Sequence, residues 1–319
     1  MNSAQKTIKY VATGFAYLLA FSIIAGIVAA VMGIMTGIGV IGRHAPDLNI
    51  DCNQYEKCLS VSLAGSNLVI KKGDKLDYKS DNDKLEVTRG DNRLTIVDKS
   101  KDSWSWFGHG GNRKTVTITV PEGEFGIIGI AANAGKIEAE YLNTKDLKLD
   151  LGAGETSIDY IRATGNVKID TGIGKFTIKN GNLKDAGIHL GIGEANIAAS
   201  LTGKTKVDAG IGAVNLDLSL ADSAYTFKVD KGIGRISING NSYSDGTIVG
   251  NGENEIDVDG GIGEIRITTG KAAEPIEDNK AIDEVTEKPE AKTGTETEIE
   301  KPAETNESQP GIRIEASAD

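Results

Sequence analysis

A pair of glycines separated by one residue returns about every twenty residues through the second half of the chain. Gly152-Ala153-Gly154, Gly172-Ile173-Gly174, Gly191-Ile192-Gly193, Gly210-Ile211-Gly212, Gly232-Ile233-Gly234 and Gly261-Ile262-Gly263 carry it, with second glycines 20, 19, 19, 22 and 29 residues apart. Asn133-Ala134-Gly135 fits one step earlier, at an interval of 19. Asn is among the few other residues that tolerate a left-handed backbone, so the first position of each pair is expected to have positive φ. Of the 40 glycines in 319 residues, 26 fall within residues 121–270. Average usage is about 7%, and no Gly-X-Y period accompanies the excess here, which excludes collagen.

Around each pair the chain alternates, as in Val167, Ile169, Asp170, Gly172, Ile173, Gly174, Phe176, Ile178. Alternation of this kind reads as a strand with one buried face. The apolar parity slips by one across the second glycine, which a straight strand cannot accommodate without exposing its core face. The Gly-x-Gly segment is therefore read as a corner or bulge, its middle residue still pointing inward. Four residues after each second glycine stand Ala139, Ile158, Ile178, Ile197, Leu216, Ile238 and Ile267. Stacked coils give such columns. The expected fold is all-β, a parallel β-solenoid of about 20-residue coils. An antiparallel stack of hairpins turning at each Gly-x-Gly is the alternative. Residues 47–120, with strand candidates at 68–70, 85–87, 94–96 and 116–120, read as an irregular β cap over one end.

From Tyr10 to Gly42 run 33 residues without a charge. A bilayer core needs about 20 apolar residues as helix, and a signal peptide's apolar core is usually about 7–15. The expectation is one uncleaved transmembrane helix over 10–42, after a cytoplasmic tail of residues 1–9 whose Lys6 and Lys9 hold it inside. Everything beyond Arg43 then lies outside the cell, as a single-pass protein of the cell membrane. Ala25, Ala29, Gly33 and Gly37 share one helix face, where small residues permit a homodimer by close helix approach; small residues are also simply common in such helices. The juxtamembrane segment 43–60 holds both cysteines, Cys52 and Cys58. A disulfide, two free thiols, or a metal site with His44 are the open readings, and an oxidising exterior favours the disulfide.

The net charge of −11 resides mostly in one place. Residues 271–319 hold 14 acidic and 6 basic side chains, a net of −8, which leaves −3 for residues 1–270. With four of the six prolines and few apolar residues, 271–319 is expected to be a disordered acidic tail. The remaining charge lacks the basic stripe of a nucleic-acid binder, so no nucleic-acid partner is expected.

Two groups of residues stand out as candidate sites. Asp150, Asp170, Asp208, Asp230 and Asp259 precede the glycines, with His189 in the equivalent place of one coil. Stacked at about 4.8 Å, like charges repel by about 1 kcal/mol even in water, so the column must be solvated, bonded to turn amides, or paired with cations. Turn-capping through each carboxylate's own amide two residues on is the expected role, against a calcium column. The second group is Trp104, Trp106 and Phe107 in a glycine-flanked polar stretch, either packed over the end of the stack or exposed as a binding loop. No Walker loop, zinc-ligand spacing or nucleophile elbow occurs, and strands follow the Gly-Ile-Gly pairs where phosphate binding needs a helix N-terminus. No enzyme activity, cofactor or metal is expected, although carboxylates in β-helical grooves can hydrolyse polysaccharides.

The N-terminal helix, the Leu-Thr-Ile strand at 94–96, Val-Thr-Ile-Thr-Val-Pro-Glu-Gly at 116–123 and the following ladder resemble the bacterial putative-adhesin family of β-strand-repeat domains, a domain of unknown function common in Gram-positive envelopes. The resemblance covers residues 61–270, with repeats at 121–270, and implies a β-solenoid at the cell surface. The function expected is a non-catalytic, adhesin-like binding module for wall polymer or a protein. The alternative is an accessory or sensor in envelope-stress signalling, acting on a membrane-protein partner.

Overall fold

The computed structural model describes residues 45–100 and 113–271. The span expected at 10–42, the Trp104–Phe107 stretch and the acidic tail beyond Lys271 lie outside the described residues. Among the described residues no helix is long and apolar enough to cross a membrane.

Strand dominates, with single 3₁₀ turns at Cys52–Gln54 and Asp222–Ala224. The repeats are β7 (Phe125–Ala163), β8 (Val167–Ile178), β10 (Ala186–Thr202), β11 (Lys204–Leu218), β12 (Tyr225–Ile238) and β15 (Asn254–Thr269). They lie side by side in parallel, bending at each Gly-x-Gly without leaving the ladder. Ile169 of β8 pairs with Leu149 of β7 and Ile188 of β10, and Gly174 with Gly154 and Gly193. The antiparallel hairpin stack is thereby set aside, and parallel stacked coils are what the repeat forms. A short third side, β9 (Gly181–Lys184), pairs in parallel with Ile161–Ala163 and Ser200–Thr202.

Apolar columns run along the stack inside it. Leu149, Ile169, Ile188, Val207, Val258 and Val229 form one, and Ile158, Ile178, Ile197, Leu216, Ile267 and Ile238 another, all nearly or fully buried. Each side chain rests on its counterparts one strand spacing, about 4.8 Å, above and below. The β-branched residues that a helix disfavours fill this pleated interior well.

The order of coils departs from the order of the sequence at both ends. β15, the last repeat in the chain, lies between β11 and β12: Val258 pairs with Val207 on one side and Val229 on the other. The intervals of 22 and 29 record this excursion, out to the terminal coil and back. β12's far edge is then covered by antiparallel β13 (Asn241–Tyr243) and β14 (Thr247–Gly250). At the other end β1 (Cys58–Leu63) and β2 (Asn67–Gly73) pair with β7 on one side. On the other they meet β5 (Arg93–Asp98) and β6 (Thr115–Pro121). Antiparallel β4 (Leu85–Arg89) and β3 (Asp77–Ser80) close that edge. Residues 58–98 and 115–121 are thus further parallel layers with an antiparallel cover, more regular than the irregular cap expected. Antiparallel strands on both terminal edges leave fewer open hydrogen-bonding groups for another chain to use.

Two expectations about the corner are corrected. Positive φ falls on the second glycine of every pair but Gly232-Ile233-Gly234, with +149° at Gly154, +139° at Gly174 and +140° at Gly212, and not on the first. The first glycine is needed for closeness: a Cβ on Gly172 would strike the backbone carbonyl of Gly152. Asn133 can carry its side chain because its level faces the Ala64–Ser66 corner, which is not a glycine pair. The middle residue of the later pairs, moreover, points outward. Ile211, Ile262 and Ile233 are 47%, 50% and 75% exposed, while Phe176 and Ile178 after the corner are buried. The turn at the second glycine absorbs the parity slip, so the middle side chain sits at the corner's apex.

Candidate interaction surface

The glycine corner presents three parallel lines of side chains to the outside. At the apex are Ile173, Ile192, Ile211, Ile262 and Ile233, consecutive partners in the ladder. Ile173, Ile192, Ile211 and Ile262 help line a cleft there, together with glycine backbone, Leu190, Phe176 and Val214.

On one flank runs the acidic column with His189 in its midst. The imidazole lies between two carboxylates, Nδ1 at 3.1 Å from Asp170 Oδ1 and Nε2 at 2.9 Å from Asp208 Oδ2. An imidazolium can donate to both; a neutral ring can donate to only one. Lys168 and Lys206 approach the same two carboxylates at 2.8 Å from two residues upstream. Each aspartate holds its lysine's proton more firmly, raising both ammonium pKa values by hydrogen bonding and charge. These cations take the place of the expected turn-amide caps. Turn-capping does occur, at a different corner: Asp146 accepts from the Asn166 amide at 2.8 Å and Asp185 from the Lys204 amide at 2.9 Å. Their spacing of 39 residues, two repeat lengths, was the available signal.

Asp150 has no histidine beside it. Burial against the neighbouring coil raises its carboxyl pKa, and the charge of Asp170 adds to the rise. At the far end the column meets Asp245, whose carboxylate accepts from the Lys231 amide at 2.8 Å. That bond holds Asp245 below its ordinary value, while the contact with Asp245 raises Asp230. Among the described residues no three His, Cys, Asp or Glu side chains form a metal-binding group.

The opposite flank carries Glu155, Lys175, Glu194, Ala213, Glu264 and Arg235. Lys175 reaches Glu194 at 3.5 Å. One residue pair further on, Asn196 donates to Glu194 at 2.6 Å, Asn215 to Asn196 at 2.8 Å, and Arg266 to Asn215 at 3.1 Å. Polar side chains thus stitch successive coils together beside the isoleucines.

Cys52 and Cys58 are joined in a disulfide at the start of β1, packed with Ile127, Ile50 and Tyr55. The binding candidates Trp104, Trp106 and Phe107 lie in the stretch that links β5 to β6, and the helix face Ala25, Ala29, Gly33 and Gly37 in the N-terminal part; both are outside the described residues. The isoleucine line was missed in the sequence, although the recurrent isoleucine between the glycines was its signal.

A strand-rich parallel ladder with glycine corners and capped ends defines the class. Residues 57–277 match the model of the Toastrack DUF4097 family, and the chain belongs to that family. No curated protein matches. Similar solved structures include one titled a putative cell adhesion protein from Clostridium sporogenes, at 18% identity over 69% of this chain and 96% of that one, with a TM-score of 0.30. Another, titled a putative adhesin from Bacteroides fragilis, has 17% identity over 66% and 93%, with a TM-score of 0.29.

Proposed function

We propose that the chain is a non-catalytic binding module of the cell surface, anchored in the membrane by residues 10–42 with its β ladder outside. The observation that carries this reading is the uncharged run Tyr10–Gly42 directly ahead of a disulfide-bonded strand domain. The run is long enough to span, and disulfides persist in oxidising surroundings. The ladder repeats its outward chemistry at every coil, which suits an extended, repetitive ligand such as a wall polymer. Trp104 and Trp106 supply aromatic faces for such contact.

The test is sedimentation of the full chain, in detergent, with purified wall. Retention that falls on Trp104→Ala with Trp106→Ala supports the reading; a chain that stays in the supernatant refutes it. The second reading, an accessory of envelope-stress signalling, is favoured by the small-residue face Ala25, Ala29, Gly33 and Gly37. Capture of a membrane kinase or transporter by cross-linking in intact membranes, with no wall retention, selects it.

A further inference from the structure

A row of five aligned isoleucines, with Ile211, Ile262 and Ile233 exposed and Ile173 and Ile192 half-buried, is unusual on a protein surface, where large apolar side chains are normally scattered singly. Ile173, Ile192, Ile211, Ile262 and Ile233 follow one another at the strand spacing over about 19 Å. They do not rest on the core: none belongs to the main buried cluster or packs against it. Nor do the corners need isoleucine, because Ala134 and Ala153 occupy the same place in the two earlier coils.

The period of the row says what fits it. Ridges repeating about every 4.8 Å interlock best with a surface of the same repeat, as identical side chains do in dry interfaces between stacked β ladders. A helix, with its pitch of about 5.4 Å, drifts by about half a repeat over the length of the row. This chain itself carries the matching row.

The charges on either side select an orientation. With the two-fold axis along the stack, each level of one copy faces the same level of the other, and the acidic flank of one lies opposite the mixed flank of its partner. Asp170 then stands across from Lys175, His189 from Glu194, and Asp230 from Arg235. Arg235 makes no ion pair of its own among the described residues. Asp259 across from Glu264 is the like-charged level within the row. The reverse orientation sets the whole acidic column against itself.

We propose that the isoleucine row is a homotypic seam, along which two copies of this chain pair side by side with their stacks parallel. This goes beyond the ligand-binding reading and does not rest on it.

The experiment is oxidative cross-linking of full-length chain in membranes or detergent, where the native cysteines are already closed in their disulfide. Ile192→Cys and Ile211→Cys should each link to themselves at least about tenfold faster than Ile248→Cys, because the seam holds like positions at high effective concentration. Ile248 is 66% exposed but stands on β14, off the row. Adding Ile262→Lys to Ile211→Cys should bring its rate down to that of Ile248→Cys, with the melting temperature unchanged. Equal rates for all three cysteine variants, or no effect of the lysine, overturn the seam. Faster linking of a mixture of Ile173→Cys and Ile233→Cys than of either alone overturns the parallel orientation. Wall sedimentation of the same variants separates this outcome from the fate of the binding reading.

Discussion

Gly193→Ala places a Cβ where the structure has room for none. Gly193 has φ +139°, and the new carbon would collide with the carbonyl oxygen of Gly174 in the coil below. Holding an alanine in that backbone region costs about 1–3 kcal/mol. Prying the two coils apart costs about 1–3 kcal/mol more, the usual range for overpacking. The sum, about 2–6 kcal/mol, is a large share of the 5–15 kcal/mol or so that holds an ordinary domain together. The matched control is Gly187→Ala, six residues away on the same strand. There a Cβ meets nothing nearer than His189 Cε1 and the Val167 carbonyl, both at 3.9 Å, and the backbone is not left-handed. Guanidinium unfolding of the full chain, followed by far-ultraviolet circular dichroism, should show a large drop in midpoint for Gly193→Ala. Gly187→Ala should stay within about 0.5 kcal/mol of the parent. A loss below about 1 kcal/mol at Gly193, or equal losses at both sites, would refute the close-packed glycine corner.

Three further outcomes are expected. His189→Asp removes the bridge between Asp170 and Asp208 and aligns three like charges; at an effective dielectric near 20, reduced by solvent exposure, the cost is about 1–2 kcal/mol. Added salt should narrow the gap in melting temperature, and a gap insensitive to salt would count against the charge explanation. Asp150 has a raised pKa in the folded state, so ionising it opposes folding: the penalty is absent below about pH 4, grows as pH rises through the folded value, and stays constant above it. Asp150→Asn should therefore melt higher than the parent at neutral pH, with the difference closing in acid; a difference that persists below pH 4 or so would show another cause. Replacing Cys52 and Cys58 together by serine opens a seven-residue loop, and chain entropy alone predicts a loss of about 2 kcal/mol in unfolding free energy, read as a lower guanidinium midpoint at unchanged slope.

Much of the architecture was legible because the interior is written as a period. Leu149, Ile169, Ile188 and Val207 announce their column by spacing alone, and the glycine pairs announce the corners. Direction at the apex was not legible. Alternation counts parity along a strand, and parity loses meaning across a residue such as Gly174 whose φ reverses the turn. Hence Ile173 read as core and stands outside it. Coil order was hidden for a different reason: β12 and β15 share one pattern, and either could follow β11. One residue did mark the terminal coil. The place held by the uncharged Leu151, Thr171, Leu190, Ala209 and Gly260 elsewhere is an exposed Lys231 there. For the acidic column, Lys168 and Lys206 two residues upstream were visible in sequence, but their reach to Asp170 and Asp208 depends on strand geometry at the corner.

The insertion of β15 between β11 and β12 makes the last repeat an internal beam. Cutting the chain before Asn254 would strip away that layer and with it the only parallel support of β12, so two coils and their cover would go together. The layer formed by β1 and β2 occupies the corresponding position at the opposite end, between β7 and the pair β5 and β6. A repeat array usually lengthens or shortens by whole units at its ends. Here both ends are locked by a segment distant in sequence, and length can change only in the stretch from β7 to β11. Homologous chains of different size should differ there, by multiples of about twenty residues, with their termini alike.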